Sequence, residues 1–214
     1  ITKRLLATGL FWMMRRRWLP IRAFMGGGKG KTISRAFVDR FIESNKALIR
    51  GDVLEIGRNV YKRVAQPENV TSYSCLDMSA FPDVDIVADI QNMPHVESET
   101  FDVIICTQVL EHVPNPFEAL AELHRILRPG GRLLLTVPFL NNYHMEPDDY
   151  WRFTEYALKY LLRNFSQCAV ASHGSTYHHV AATLGYIASE VDLNVSERAG
   201  APKFPVIVSA VAQK

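Results

Sequence analysis

Cysteine is scarce in this chain, with three among 214 residues (Cys75, Cys106 and Cys168) and no CxxC pair. That excludes a disulfide-stapled secreted scaffold and a thiolate metal cluster. Cys75 and Cys106 fall in apolar runs, so they read as buried thiols of a protein kept in a reducing compartment, the cytoplasm. Long apolar runs are missing too, and none approaches the roughly 18 residues of a membrane-spanning helix. Acidic residues are absent from positions 1–31, which hold eight basic ones (Lys3, Arg4, Arg15, Arg16, Arg17, Arg22, Lys29 and Lys31). The rest of the chain holds 16 basic against 22 acidic residues, a balance of −6. It has no basic stripe to follow a phosphate backbone, so no nucleic acid is expected as a partner.

At 48% hydrophobic residues the chain can bury one sizeable core. It divides into a basic, partly apolar leader with a Gly-rich linker, 1–31, and a single domain, 32–214. In the leader, "LLATGLFWMM" runs into "RRRW". A secretory signal would place small residues for cleavage where the three arginines stand. Five consecutive apolar positions, 10–14, make a poor surface helix. Residues 1–24 are therefore expected to pack on the body or a second subunit, or to lie peripherally on a membrane surface. Because Ile rather than Met opens the chain, its natural start is expected further upstream. "MGGGKGKT", residues 25–32, nearly spells a phosphate-binding loop, but Met25 stands where the first glycine belongs. The upstream "RRRWLPIRAF" is no strand, and the P-loop reading fails.

Beyond the linker, apolar periodicities alternate. Residues 34–49 put Phe37, Val38, Phe41, Ile42 and Leu48 on one helical face, with Ser34 as N-cap. Strands are expected at 52–56, 73–77, 85–88, 101–107 and 131–137. Helices are expected at 115–127, stopped by Pro129 and Gly130, and at 154–164. A strand at 167–172, a helix at 178–190 and a last strand in "FPVIVSAVA" complete the pattern. Strands alternating with helices mean an α/β protein with a largely parallel sheet. Ligands of such sheets bind at the carboxyl ends of strands, where strand order reverses.

Glycine is lacking where it would matter most for a dinucleotide. "DVLEIGRNVYK" leads a strand into Gly57, but Arg58, Asn59 and Val60 follow instead of two further glycines. No backbone loop can then close on a pyrophosphate, which argues against a nicotinamide-dependent dehydrogenase. Asp77 nevertheless lies 20 residues on, at the end of "YSCLD", where a βαβ unit places a carboxylate for ribose hydroxyls. A nucleoside cofactor without phosphate satisfies both observations. S-adenosylmethionine is one, and its sulfonium cation suits the acidic Glu55 that would repel a pyrophosphate.

The stretches "VLEIG", "YSCLD", "VADIQNMP", "FDVIICTQVLEHV" and "ILRPGGRLLLTVPF", in this order, resemble the class I S-adenosylmethionine-dependent methyltransferases over about residues 34–170. "SRAFVDRFIE", "IRGDVLEIG" and "DDYWRFT" resemble a bacterial subgroup whose members often accompany glycosyltransferases in polysaccharide biosynthesis. The family's second glycine is Asn59 here. The resemblance implies a Rossmann-like fold: a mostly parallel seven-stranded sheet, last strand antiparallel, with helices on both faces. It implies S-adenosylmethionine as cofactor and S-adenosylhomocysteine as product. Carried over by position, Glu55 and Gly57 would line the methionine end of the cofactor, and Arg58 and Met78 would also contact it. Asp77 would hold the ribose, Asp89 with Ile90 the adenine, and Thr107 with Gln108 the floor beneath the sulfonium.

Methyl transfer displaces an already activated carbon in line, so positioning supplies much of the rate and no nucleophilic side chain is needed. A hydroxyl acceptor gains from a general base, for which His112 in "LEHV" and His144 in "NNYHMEPDDYW" are the candidates. Tyr150, Trp151 and Phe153 would stack on a flat acceptor or seal their loop to the core. His178 and His179 are adjacent on a helix and point apart, so they make no metal pair, and no metal is expected. The function expected is methylation of a hydroxyl or amine on a small molecule, a sugar or glycosylated intermediate. The alternative is a methyltransferase-like scaffold that no longer holds cofactor.

Overall fold

The computed structural model describes residues 30–143, 148–196 and 203–214. The leader, His144 and residues 25–29 of the glycine-rich linker lie outside them. Seven strands form one sheet: β1 (Gly51–Ile56), β2 (Val70–Asp77), β3 (Ile86–Val87), β4 (Phe101–Thr107), β5 (Leu127–Pro138), β6 (Gln167–His173) and β7 (Ile207–Gln213). Their order across the sheet is β3-β2-β1-β4-β5-β7-β6. The first five pair in parallel, and β7 runs antiparallel to both β5 and β6. Chain order reverses between β1 and β4, so the ligand-binding crevice of this architecture opens there.

The central strands read as unbroken apolar runs because both of their faces are covered. Val53 to Ile56 and Val103 to Cys106 are buried throughout. One face carries Leu54, Ile56, Leu76, Ile104, Leu133 and Leu135 against α2 (Pro116–Ile126) and α3 (Glu155–Leu161). The other carries Val53, Val103, Ile105 and Leu134 against α1 (Ile33–Ser44) and α4 (Thr176–Thr183).

In α1, Ile33, Phe37 and Phe41 repeat at four-residue spacing and bury one stripe with Val38 and Ile42. The cap is Thr32 rather than Ser34. Thr32 stands in an extended conformation and its Oγ1 accepts the N–H of Arg35 at 3.1 Å. Ile33 must already be helical to reach the core, which places Ser34 inside the first turn. The helix ends at Ser44, where the Asn45 side-chain amide donates to the carbonyl of Phe41 at 2.8 Å. Residues 46–48 make only a 3₁₀ turn. Asn115 caps α2, its side chain accepting from Phe117 and Glu118 N–H, with Pro116 in the first position. Leu127 then turns extended and begins β5 directly. The helix expected at 178–190 covers only 176–183, and Gly185, at φ +83°, ends it in the left-handed region open to glycine.

Between β1 and β2 there is no α-helix. Residues 57–69 form turns and one 3₁₀ segment, Pro67–Asn69. A side chain at the end of β1 holds this connection.

Candidate active site

Register across the sheet assembles the site. Ile56 pairs with Leu76 of β2 and with Cys106 of β4, and Thr107 pairs with Thr136 of β5. Gly57, Asp77 and Thr107, one residue further on, therefore stand abreast at the carboxyl edge of three adjacent strands. Gly57 adopts φ +95° while its N–H donates to the Leu76 carbonyl at 2.7 Å. A side chain there would meet nothing within 4 Å. The glycine is thus required by backbone conformation, and the space above it is open.

Glu55 explains how the connection manages without helix or further glycines. Its carboxylate is 2% exposed and accepts from Val60 N–H (3.0 Å), Tyr61 N–H (3.1 Å) and the Tyr73 hydroxyl (2.6 Å). One carboxylate gathers the donors of a loop that a helix would otherwise satisfy. Burial pushes the Glu55 pKa up, and the Tyr73, Val60 and Tyr61 hydrogen bonds oppose the rise. Glu55 acts on the site from beneath, by shaping the 57–61 turn.

Arg58 leans across the mouth between β1 and β2. Its guanidinium pairs with Asp83 at 2.9 Å and lies 4.4 Å from the centre of the Phe81 ring. Asp77 closes an Asx turn by accepting the Ser79 N–H at 2.8 Å. Met78 beside it is 63% exposed, a large apolar surface at a strand end. Asp89 accepts the Gln91 backbone N–H at 2.9 Å, while Ile90 is buried beneath it. Gln91 in turn accepts the Asn115 N–H at 2.9 Å, which ties this turn to the start of α2.

On the β4 side, Gln108 holds a left-handed backbone, φ +54°, uncommon outside glycine. Its N–H donates to the Thr136 carbonyl at 2.9 Å and its amide to the Thr136 hydroxyl at 3.3 Å. That geometry turns the chain sharply into the 3₁₀ segment Leu110–His112. Over this segment lies "DDYWRF". The Glu111 carbonyl accepts the N–H groups of Tyr150 (2.7 Å) and Trp151 (3.2 Å), and the Trp151 indole donates to the Val113 carbonyl at 2.9 Å. Phe153 is buried. These aromatics seal their loop onto the β4 exit. His112 joins the same fastening through Nδ1, 2.5 Å from the Asp148 carbonyl, so Nδ1 carries the hydrogen. Arg152 forms a bidentate pair with Asp149 and donates to the Asn142 carbonyl at 3.2 Å.

The structure brings Gly57, Arg58, Asp77, Met78, Asp89, Ile90, Thr107, Gln108 and His112 to one edge of the sheet, with Glu55 under it. Sequence reasoning passed over Glu111. This carboxyl is 4% exposed, and its Oε2 is buried without a hydrogen-bond partner. Burial drives its pKa up to about 8, with Arg152 opposing and Asp149 adding to the rise. No local sequence signal marks it, because its burial comes from the strap at 148–153. His178 is fully buried, its Nδ1 on Ser175 and its Nε2 2.9 Å from the Asp192 carbonyl, a helix-capping arrangement.

The family described as "Methyltransferase domain" matches residues 26–135, just over half of the chain. A ubiquinone biosynthesis O-methyltransferase of Hahella chejuensis is 38% identical over 47 residues, 22% of this chain and 20% of that protein. One from Pseudomonas paraeruginosa is 44% identical over 36 residues, 17% of this chain and 16% of that protein. The chain thus aligns with only about a fifth of the length of these relatives. Among solved structures, an S-adenosylmethionine-dependent methyltransferase of Archaeoglobus fulgidus superposes with a TM-score of 0.57 at 14% identity, over 84% of this chain and 92% of that one. The 1,6-didemethyltoxoflavin-N1-methyltransferase of Burkholderia thailandensis, solved with bound 1,6-didemethyltoxoflavin and S-adenosylhomocysteine, superposes with a TM-score of 0.54 at 16% identity, over 86% of this chain and 79% of that one.

Proposed function

The chain belongs to the methyltransferase-domain family, and we propose that it transfers a methyl group from S-adenosylmethionine to a hydroxyl or amine of a small molecule. The observation that carries the reading is the row Gly57, Asp77, Thr107 at the point where strand order reverses, with open space above Gly57. The residues fit the cofactor. Asp77 at the β2 end suits a pair of ribose hydroxyls, Met78 and Ile90 offer apolar surface to adenine, and Thr107 with Gln108 would floor the sulfonium. No pyrophosphate is catered for, because Glu55 and not glycine shapes the turn after β1.

When bound, S-adenosylmethionine supplies a methyl group already activated by the positive sulfur. The chain's part is then to hold the acceptor in line and keep water out. The tied turn 110–113 and the strap 148–153 form a wall on the acceptor side of β4 and β5, and half-exposed Tyr150 and Trp151 present flat surface there. That suits a sugar ring or an aromatic ring, and the likeness of "DDYWRFT" to the polysaccharide-associated subgroup favours the sugar. His112 and His144 remain the imidazole candidates for proton removal.

Titration calorimetry of the intact chain with S-adenosylmethionine and S-adenosylhomocysteine tests this reading. Saturable one-to-one binding of both is the expected result. Binding of neither would replace the enzyme by a methyltransferase-like scaffold. Residues 1–24 are proposed as a contact to a second subunit or a membrane surface. Among the described residues no helix is long and apolar enough to cross a membrane.

A further inference from the structure

We infer that the Glu111 carboxylate takes the proton of a hydroxyl acceptor, and hence that the methyl group is delivered to oxygen. The inference rests on the reading of this chain as a methyltransferase and names its substrate class. Nearly all buried polar atoms in proteins are paired, and an exception calls for an explanation. Oε2 of Glu111 is such an exception. It sits on the turn that leaves β4, three residues beyond Gln108, and under the strap that walls the acceptor side.

The hydrogen bonds that fasten the strap do not use the Glu111 side chain. The strap is fastened by the Glu111 backbone carbonyl, the Trp151 indole and the Asp148 carbonyl, and Arg152 has its own partner in Asp149. A glutamine or a leucine at 111 would leave those contacts intact. The partner we assign to Oε2 is the hydroxyl of the acceptor, which must lift the strap from the turn to reach this buried atom. Catalytic hydrogen bonds often tighten only when the substrate arrives.

The step balances without any further reactant. As the acceptor oxygen forms its bond to the methyl carbon, the carbon–sulfur bond breaks and its electron pair returns to sulfur, neutralising the sulfonium. The O–H electrons stay on oxygen and the proton passes to Glu111. The groups facing this carboxyl are His112 on its own turn, with Nε2 4.0 Å from Oε1, Asp149 and Arg152 on the strap, and Cys106 on β4. In that setting the acid titrates at about 8, close to working pH, where a general base is most effective. The Asp148 carbonyl holds the Nδ1 hydrogen of His112 and makes Nε2 its basic nitrogen, so His112 is the rival base that the pH profile tells apart from Glu111.

The test uses the intact chain, methyl-labelled S-adenosylmethionine, catechol as hydroxyl probe and benzylamine as amine probe. We expect label on catechol, at a rate that rises with pH to a plateau above about 8. Glu111→Gln should lower that rate about 10² to 10⁴-fold while cofactor affinity by calorimetry stays within about twofold. The pH profile needs no variant and stands even if Glu111→Gln fails to fold. Undiminished turnover in the variant would overturn the assignment. So would an inflection near the ordinary imidazole value of about 6.5, or label on benzylamine alone or on neither probe. If the intact chain binds cofactor in those cases, only the role of Glu111 falls. If it binds none, the methyltransferase reading falls with it.

Discussion

Replacing Glu111 with glutamine should make the protein more stable, by an amount that depends on pH. The folded state raises this carboxyl from 4.5 to about 8, so between those values the unfolded chain has released a proton that the folded chain still holds. Folded stability then falls as pH rises through that window. The full span is about 3.5 units, worth about 5 kcal/mol at about 1.4 kcal/mol per unit. Relaxation of the interior around the charge brings the realistic loss to about 2 to 5 kcal/mol. Glutamine is neutral at every pH and nearly the same size, so the variant escapes the loss. Below pH 5 the two proteins should melt within a few degrees of each other. At pH 8.5 the variant should melt about 5 to 15 °C higher, at about 2–4 °C per kcal/mol for a chain of this length. Thermal melts of both proteins from pH 5 to 9 measure this directly. Melting curves that run parallel across the range would show that Glu111 is neither so buried nor so unpartnered as described. A gain in stability coupled to a loss of turnover is the pattern of a group retained for function.

Asp77→Ala should weaken S-adenosylmethionine binding by about 1.5 to 3 kcal/mol through lost charged hydrogen bonds to the ribose, measured by calorimetry; unchanged affinity in a folded variant would clear β2 of that role. Tyr73→Phe should cost about 1 to 2 kcal/mol in denaturant unfolding, because Glu55 loses its shortest hydrogen bond, and a neutral result would mean that the 57–61 turn does not depend on it. Deleting residues 1–24 should leave a body that melts cooperatively and still binds cofactor, since the first element of the described fold begins at Ile33; a lost transition would place the leader in the core.

The parts legible in the sequence were those written in apolar periodicity. The unbroken runs of β1 and β4 announced strands covered on both faces, and the alternation of strands and helices announced the parallel sheet. Asp77 was legible as a strand end from the apolar run that closes in "YSCLD", although the connection before it holds no α-helix. The turn after Gly57 was harder. Its missing glycines were visible, but the carboxylate that replaces them works through Tyr73, eighteen residues away, and only the fold makes them neighbours. Boundaries slipped where tertiary packing outweighed local preference, as at Thr32, where core burial of Ile33 moved the cap back by two. Glu111 escaped notice because nothing in "LEHV" distinguishes a solvated glutamate from a buried one; its burial is created by a strap some forty residues further along. His144 lies outside the described residues.

The structure of this chain with S-adenosylhomocysteine bound tests the cofactor site most directly. The ribose hydroxyls are expected within about 3.2 Å of the Asp77 carboxylate, the sulfur in the open space above Gly57 beside Thr107, and the methionine tail along the turn that Glu55 holds. A ligand seated elsewhere, or a ribose that leaves Asp77 untouched, would contradict this placement.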